Sequence, residues 1–169
     1  PQEVVLTQEK PFLLNKNVSI TYPEGNLLLK RNAEFLSGYI RQATGYTPPV
    51  KGLKDGETAK HAINLGLDAD IANKEGYVLT TTSEGIQING QTENGVFYGC
   101  QNITEINPRR GQGADILLPA GSIKDEPRFT YRGMHLDVCR HFFPLEFIKR
   151  IYRLTGATQY EYFPLASDR

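Results

Sequence analysis

The sequence lacks an excess of charge of either sign. Its 19 Lys and Arg residues balance 19 Asp and Glu residues, so the formal net charge is zero. We therefore expect no nucleic-acid partner and no binding to an anionic membrane surface. The sequence also lacks any apolar run near the ~18 residues that would cross a bilayer, so no membrane span is expected.

Cysteine is scarce. Cys100 and Cys139 are the only two cysteines, and they lie far apart in the chain. One such pair is not a disulfide framework, and two separate buried thiols are the expected state. The chain begins at Pro1 rather than at Met, so the lack of a visible leader does not argue against export.

The first part of the chain alternates between strand and helix patterns. Val18, Ile20 and Tyr22 recur at every second position, which predicts a strand. An apolar stripe at steps of four and three then predicts a helix that ends at Gly45; the stripe consists of Leu29, Ala33, Leu36, Ile40 and Ala43.

The middle of the chain predicts several strands and a second helix. Strand patterns occupy residues 63–67, 77–81 and 86–88, with a hairpin turn at 83–85. Val96, Cys100 and Ile103 share one helix face, and residues 116–118 are a short apolar strand. This order predicts an α+β domain over 1–122, with a mostly antiparallel sheet and two helices on one face.

The pattern changes after residue 122. Leu136 and Val138 alternate with polar residues, and Phe143-Pro144 opens a helix with Phe147 on its apolar face. Strand followed by helix is half of a βαβ unit, and a parallel strand needs neighbours that residues 123–169 do not supply. The apolar side chains must fold onto the first domain, pair with another chain, or stay exposed.

Residues 125–143 carry a specific string, DEPRFTYRGMHLDVCRHFF. It resembles the entry to the catalytic barrel of glycoside hydrolase family 20, whose pattern is roughly D-x-P-R-F-x-x-R-G-x-x-L-D-x-x-R-H-F-F. The upstream segments SEGIQI and GVFYGCQNITEI are similar to the accessory domain of that family. The resemblance covers most of residues 1–153 and implies that a truncated first β/α unit of a TIM barrel follows the accessory domain.

The resemblance implies a β-N-acetylhexosaminidase, which removes terminal β-linked N-acetylglucosamine or N-acetylgalactosamine. In this family the acetamido oxygen of the sugar attacks the anomeric carbon, a Glu is the general acid and then base, and a neighbouring Asp orients the acetamido group. That Asp-Glu pair lies beyond this chain, so it holds no catalytic residue and is expected to be inactive alone. No cofactor is implied, and the partner is a glycan or glycoconjugate.

Arg132 is the one position onto which a substrate contact carries over. It matches the Arg that holds the 3- and 4-hydroxyls of the terminal sugar, a task that suits the fixed fork of a guanidinium. The alternative is a structural Arg that pairs with Asp137 or with a backbone carbonyl.

Three polar residues near the end of the predicted strand are expected to support structure rather than contact the sugar. They are Asp137, Arg140 and His141. His135 and His141 have no third ligand, so a zinc site is not expected. The adjacent acids Asp125 and Glu126 match the joint between the family's domains, not its catalytic pair.

The tail, residues 152–169, departs from the family, and Gly156 and Pro164 predict poor helix and poor strand there. One permitted codon choice for this tail, read one base later, gives Ile-Asp-Leu-Leu-Ala-Leu-His-Asn-Met-Asn-Thr-Phe-His-Trp-His-Leu-Thr. This is similar to the family's continuation and predicts a frameshift near codon 152. A natural divergent tail is the alternative.

A second function remains open, that of a stand-alone carbohydrate-binding or scaffold module. The sequence shows no exposed aromatic cluster in its favour, because most tyrosines fall at core positions of strands or helices. Export is expected from the resemblance alone, because such enzymes mostly meet glycans outside the cytoplasm.

Overall fold

The structure is a computed structural model that describes residues 1–54, 57–106, 115–133, 135–138, 140–157 and 165–166. Two compact units divide the chain, Pro1–Glu126 and Pro127–Arg169. The sequence analysis placed the boundary at 122/123. In the structure the first unit extends to Glu126, because the last strand of its sheet occupies the residues just before the joint.

The first unit is built on a seven-stranded mixed sheet. In spatial order its strands are β1 (Glu3–Leu6), β9 (Gly121–Asp125), β6 (Tyr77–Thr82), β7 (Gly85–Gly90), β5 (Ala62–Leu67), β3 (Ser19–Pro23) and β4 (Val50–Leu53). The two helices of this unit are α1 (Leu27–Thr44) and α2 (Glu93–Ile106). Two further strands, β2 (Phe12–Leu14) and β8 (Ile116–Leu118), pair with each other in a separate antiparallel ladder.

The expectation of a mostly antiparallel sheet is wrong. The pairs β1–β9, β9–β6 and β6–β7 are antiparallel, whereas β7–β5, β5–β3 and β3–β4 are parallel. Helix α1 joins β3 to β4 as a crossover, which is the connection that parallel neighbours need. The two helices contact each other and both contact β5, so they lie on one face of the sheet, as expected.

Helix α1 ends at Gly45, as its sequence predicts, and is capped at both ends. Asn26 caps its start, because the Asn26 Oδ1 accepts hydrogen bonds from the backbone N–H groups of Leu28 and Leu29 at 3.1 and 3.0 Å. Gly45 follows its last residue with φ of 81° and donates its N–H to the Arg41 carbonyl. The apolar stripe of this helix is buried against the sheet; its members are Leu29, Ala33, Leu36 and Ile40, while Ala43 is half-buried.

Glycines bring helix α2 unusually close to the sheet. A Cβ atom on Gly95 would lie 2.3 Å from the Gly76 carbonyl oxygen, and one on Gly99 would lie 2.5 Å from the Ile88 Cγ2 atom. Both distances are shorter than packed atoms reach, so neither position accepts a side chain without movement of the helix. Cys100, on the same helix, is fully buried in the core.

The second unit contains a short parallel strand pair. Its elements are β10 (Leu136–Asp137), α3 (Leu145–Ala157) and β11 (Leu165–Ala166), with Leu136 paired to Leu165. The sequence predicted poor helix after Ile151. This prediction is wrong for residues 152–157, because helix α3 continues through them. One added residue costs little once a helix has formed, even at a glycine. The strand residue Met134, the thiol of Cys139 and residues 158–164 lie outside the described residues.

We predict that Gly95→Ala lowers the free energy of unfolding by about 1–3 kcal/mol, because the added methyl group meets the Gly76 carbonyl and overpacks the α2–sheet contact. The matched control is Gly38→Ala in α1, where an added Cβ has nothing within 4 Å. That control should raise stability by up to about 1 kcal/mol, because Ala favours helix. Urea unfolding followed by circular dichroism measures both; equal effects would contradict the close approach.

Candidate functional site

The residues that the sequence analysis selected lie in the second unit, around β10. Arg132 precedes this strand, Asp137 is its last residue, and Arg140 and His141 follow it. Arg132 and Asp137 are half-buried, whereas Arg140 and His141 are exposed.

The Arg132 guanidinium contacts its own chain. Its Nη1 donates a hydrogen bond to the Phe129 carbonyl oxygen at 2.6 Å. This contact is the backbone-carbonyl alternative that the sequence left open. It also orients the side chain, because a planar guanidinium that is fixed at one nitrogen keeps its other donors in a defined direction.

Asp137 and Arg140 form a local ion pair. The Arg140 Nε and backbone N–H donate to the two carboxylate oxygens of Asp137. The pair closes the turn that leaves β10, because both bonds join residues three apart. The pair fixes the backbone just before His141.

Asp125, the first of the two adjacent acids at the joint, has structural partners. The Asp125 Oδ1 accepts the backbone N–H of Gln2 at 3.0 Å, and its Oδ2 accepts the Tyr77 hydroxyl at 3.4 Å. The Tyr77 hydroxyl in turn accepts a hydrogen bond from the Asn102 side-chain amide. Asp125 therefore ties β9 to β6 and α2 within the first unit.

The structure corrects the expectation that no exposed aromatic cluster exists. Phe35 and Tyr39, about two-fifths exposed, lie on the outer side of α1, and Phe35 contacts Phe97 of α2 with ring centroids 5.1 Å apart. The spacing of four between Phe35 and Tyr39, off the buried stripe of α1, was the available signal. The rings are tilted by 42° and 54° to one another, so the three side chains do not form one continuous flat surface.

The part of the chain that the structure describes holds neither a cluster of metal ligands nor a helix that could cross a membrane. Within those ranges, no three His, Cys, Asp or Glu side chains converge as metal ligands would. No helix in the same ranges combines the length and the apolar character that crossing a bilayer requires.

The fold thus comprises an α+β domain, Pro1–Glu126, and a second, smaller unit, Pro127–Arg169. The family model described as "Glycosyl hydrolase family 20, domain 2" matches residues 1–126, about three quarters of the chain. The chain therefore belongs to glycosyl hydrolase family 20.

Curated relatives and solved structures agree with this family. A β-hexosaminidase of Porphyromonas gingivalis is 40% identical over 100 residues, which is 56% of this chain and 13% of that protein. A β-hexosaminidase of Vibrio vulnificus is 38% identical over 63% of this chain and 12% of its own length. The GH20 β-N-acetylhexosaminidase of Streptomyces coelicolor superimposes with a TM-score of 0.83 at 27% identity, over 98% of this chain and 33% of that one. The chain thus spans about an eighth of these curated relatives and a third of this solved structure.

Burial controls the chemistry of Cys100 and raises the pKa of its thiol to about 12 from an ordinary 9.0. The folded state therefore keeps the proton that the unfolded state releases above pH 9.0. The stability associated with this thiol is complete below that value and falls as the pH rises toward 12.

We predict that Cys100 is inert to thiol reagents in the folded chain. In a Cys139→Ser variant, Cys100 should react with an aromatic disulfide reagent at about pH 8 at least ~100-fold more slowly than in guanidinium, because only the exposed thiolate attacks. Absorbance of the released thiolate measures the rate. A folded-state rate near the unfolded one would contradict the burial of this side chain.

Proposed function

We propose that this chain is the N-terminal part of a β-N-acetylhexosaminidase. The complete enzyme would remove terminal β-linked N-acetylglucosamine or N-acetylgalactosamine by substrate-assisted retaining hydrolysis. The observation that carries the proposal is the family membership of residues 1–126, continued by the barrel-entry string at 125–143. Two relatives above 35% identity are named β-hexosaminidases, which supports the same activity.

The second unit would then be the first β/α unit of the catalytic barrel. Its strand β10 and helix α3 have the order that begins a βαβ unit, and barrels repeat that unit. Within the complete enzyme, β10 would gain further parallel neighbours.

The proposed mechanism needs groups that this sequence does not contain. The acetamido oxygen of the substrate would attack the anomeric carbon while a Glu protonates the leaving oxygen and a neighbouring Asp holds the acetamido group. Without that pair the 169-residue chain would show no turnover, because no group here stabilises the developing charge.

Arg132 would bind the terminal sugar. Two N–H groups of its guanidinium can donate to two neighbouring hydroxyls, and its charge is retained at any working pH. The contact with the Phe129 carbonyl leaves the planar group fixed rather than mobile, which suits recognition of a rigid diol. Asp137, Arg140 and His141 would shape the turn behind it.

The activity test compares the 169-residue chain with a version restored to full length. We predict hydrolysis of an aryl N-acetylglucosaminide by the restored enzyme only. Arg132→Ala should lower its kcat/KM by about 10³-fold, because two charge-assisted hydrogen bonds contribute ~4 kcal/mol together. The matched control is the exposed Arg31→Ala on α1, which should change kcat/KM less than about threefold.

Two results would contradict this proposal. One is turnover by the clean 169-residue chain, and the other is an Arg132→Ala enzyme that retains the activity of the unchanged protein. Circular dichroism of each variant separates a lost contact from a lost fold.

The frameshift proposal is tested on the gene. Reading codons 145–169 and several hundred bases beyond in all frames should reveal His-Trp-His and then an Asp-Glu pair in the shifted frame. A tail whose own frame is genuine and continues into no barrel would defeat both the frameshift and the enzyme proposal. The bases upstream of Pro1 test export in the same experiment, because a secretory leader would be encoded there.

We also propose that the second unit mediates association between copies of this chain. Phe142 is 90% exposed and Leu145 is 64% exposed, and Phe143 stacks on Phe147 with centroids 4.9 Å apart. A cluster of large apolar side chains in contact with water favours self-association.

Light scattering across a concentration series tests this association. We predict that the average mass rises with concentration, and that the double variant Phe142→Ser/Leu145→Ser reduces the rise. Leu27→Ser is the matched control, because Leu27 is 71% exposed on α1. A strict monomer at high concentration would contradict chain–chain pairing.

A further inference from the structure

The face of the large sheet opposite its helices carries an unusual set of side chains. On the central strands the buried residues alternate with outward ones, so strand register places the outward residues in rows across the sheet. One row contains Ser122, Thr80, Gln87 and Asn64, and the next contains Lys124, Val78, Asn89 and Gly66. We name these two rows the open face.

The centre of the open face is without charge. Its six residues on β6, β7 and β5 are uncharged, whereas the same rows continue toward the sheet edges to the charged Glu3, Lys124 and Lys51. Charged side chains are depleted at the centres of binding surfaces, because their desolvation is costly. An uncharged polar centre inside a charged rim fits a face that meets a neutral ligand.

The amides of the open face are held in place. The Gln87 Nε2 donates to the Asn89 Oδ1 at 2.7 Å, which fixes the orientation of both side chains. A Cβ atom on Gly66 would lie 2.7 Å from that same Asn89 oxygen, so Gly66 leaves room for the amide pair. The fixed pair presents the Gln87 Oε1 as an acceptor and the Asn89 Nδ2 as a donor.

The residues beside this pair offer further hydrogen-bonding groups. In the described part of the chain, the hydroxyls of Thr80 and Ser122 have no protein partner, and both residues are half-buried. Thr80 lies directly across from Gln87 of the amide pair on one side and from Ser122 on the other. Adjacent strands lie about 4.8 Å apart, so the face presents a regular ladder of donors and acceptors.

A cavity lies at one end of the open face. Its volume is about 290 Å³, and its lining includes Thr58, Asn64, Thr80 and Gln87 together with Lys60 and Glu84, which pair with each other at 3.5 Å. Asn64 fixes the loop that forms one wall, because its side-chain amide exchanges hydrogen bonds with the backbone of Ala59 at 2.8 and 3.0 Å. The volume is near the lower limit for small-molecule pockets, the size of one sugar ring.

These features fit one ligand chemistry. An anion would need a cation at the centre of the face, and an apolar ligand would leave the amides and hydroxyls unpaired. A neutral chain with hydroxyl and acetamido groups would satisfy both the donors and the acceptors.

We propose that the open face binds an extended glycan of β-linked N-acetylhexosamine units, with one ring seated in the 290 Å³ cavity. The identity of the ligand rests on the substrate class of the proposed function. The site lies wholly in the first unit, whereas Arg132 belongs to the second.

The test titrates the whole 169-residue chain with the pentamer of N-acetylglucosamine, using amide NMR shifts. We expect saturable shifts on β6 and β7. Gln87→Ala should weaken binding about fivefold, because one hydrogen bond is lost. Thr80→Lys should weaken binding more than about tenfold, because a charge with no partner occupies the centre of the face. Gln8→Ala, on an exposed segment, should leave the affinity unchanged.

Three outcomes would overturn the proposal. They are no saturable shift up to the solubility limit of the pentamer, shifts that neither open-face variant reduces, and equal affinity for a cellulose pentamer that lacks acetamido groups. Gln87→Ala and Thr80→Lys both replace outward-facing residues, and the dispersion of each spectrum shows whether the variant is folded.

Hydrolysis by the restored enzyme is measured separately on an aryl monosaccharide, which is too short to span the open face. Activity without pentamer binding overturns this inference alone. Binding without activity overturns the proposed function alone.

Discussion

The close approach of α2 to the sheet is the contact on which the accessory domain depends. Gly90, Gly95 and Gly99 all lie where an added Cβ atom would come within 2.5 Å of a neighbouring atom. Because the helix backbone lies so near the strands, Asn102 reaches the Tyr77 hydroxyl, which also bonds Asp125. A larger separation would break this chain of hydrogen bonds and release the end of β9, the strand that leads out of the domain.

Sequence patterns predicted the elements whose causes are local. The stripe and C-terminal cap of α1, the turn between β6 and β7, and the buried face of α2 each follow from residues a few positions apart. The parallel pairs β7–β5 and β5–β3 do not follow from nearby residues, because the paired strands are separated in the chain by other strands or helices. The edge strands β1 and β4 were missed for a related reason. Their short runs carry exposed residues, and only pairing with the sheet makes them strands.

The candidate site also contains contacts that follow from nearby residues and contacts that do not. Asp137 and Arg140 are three residues apart, so their ion pair follows from the turn itself, and a supporting role could be inferred from the sequence. The position of the Arg132 guanidinium could not be inferred from the sequence, because this long side chain could reach any of its candidate partners. The family pattern gave the expected role of Arg132 in the complete enzyme. The contact of Arg132 with the Phe129 carbonyl is the one that its side chain makes in this chain. The open face was invisible in the sequence, because its residues come from four separate strands and only the register brings them together.

A glycan site without aromatic side chains has a physical consequence for how such an enzyme would work. Each hydrogen bond from the open face replaces one to water, so its net contribution is only about 1 kcal/mol. A few such bonds, spread over several rings, give weak binding with fast release. Weak binding is sufficient when two sites act on one polymer, because the second contact then benefits from a high effective concentration. Weak binding also avoids a disadvantage of tight binding that is equal for substrate and transition state. Such binding holds substrate and product without lowering the activation barrier. An accessory face of this kind would retain a polymeric substrate between successive removals of its terminal sugar while leaving the chemistry to the barrel.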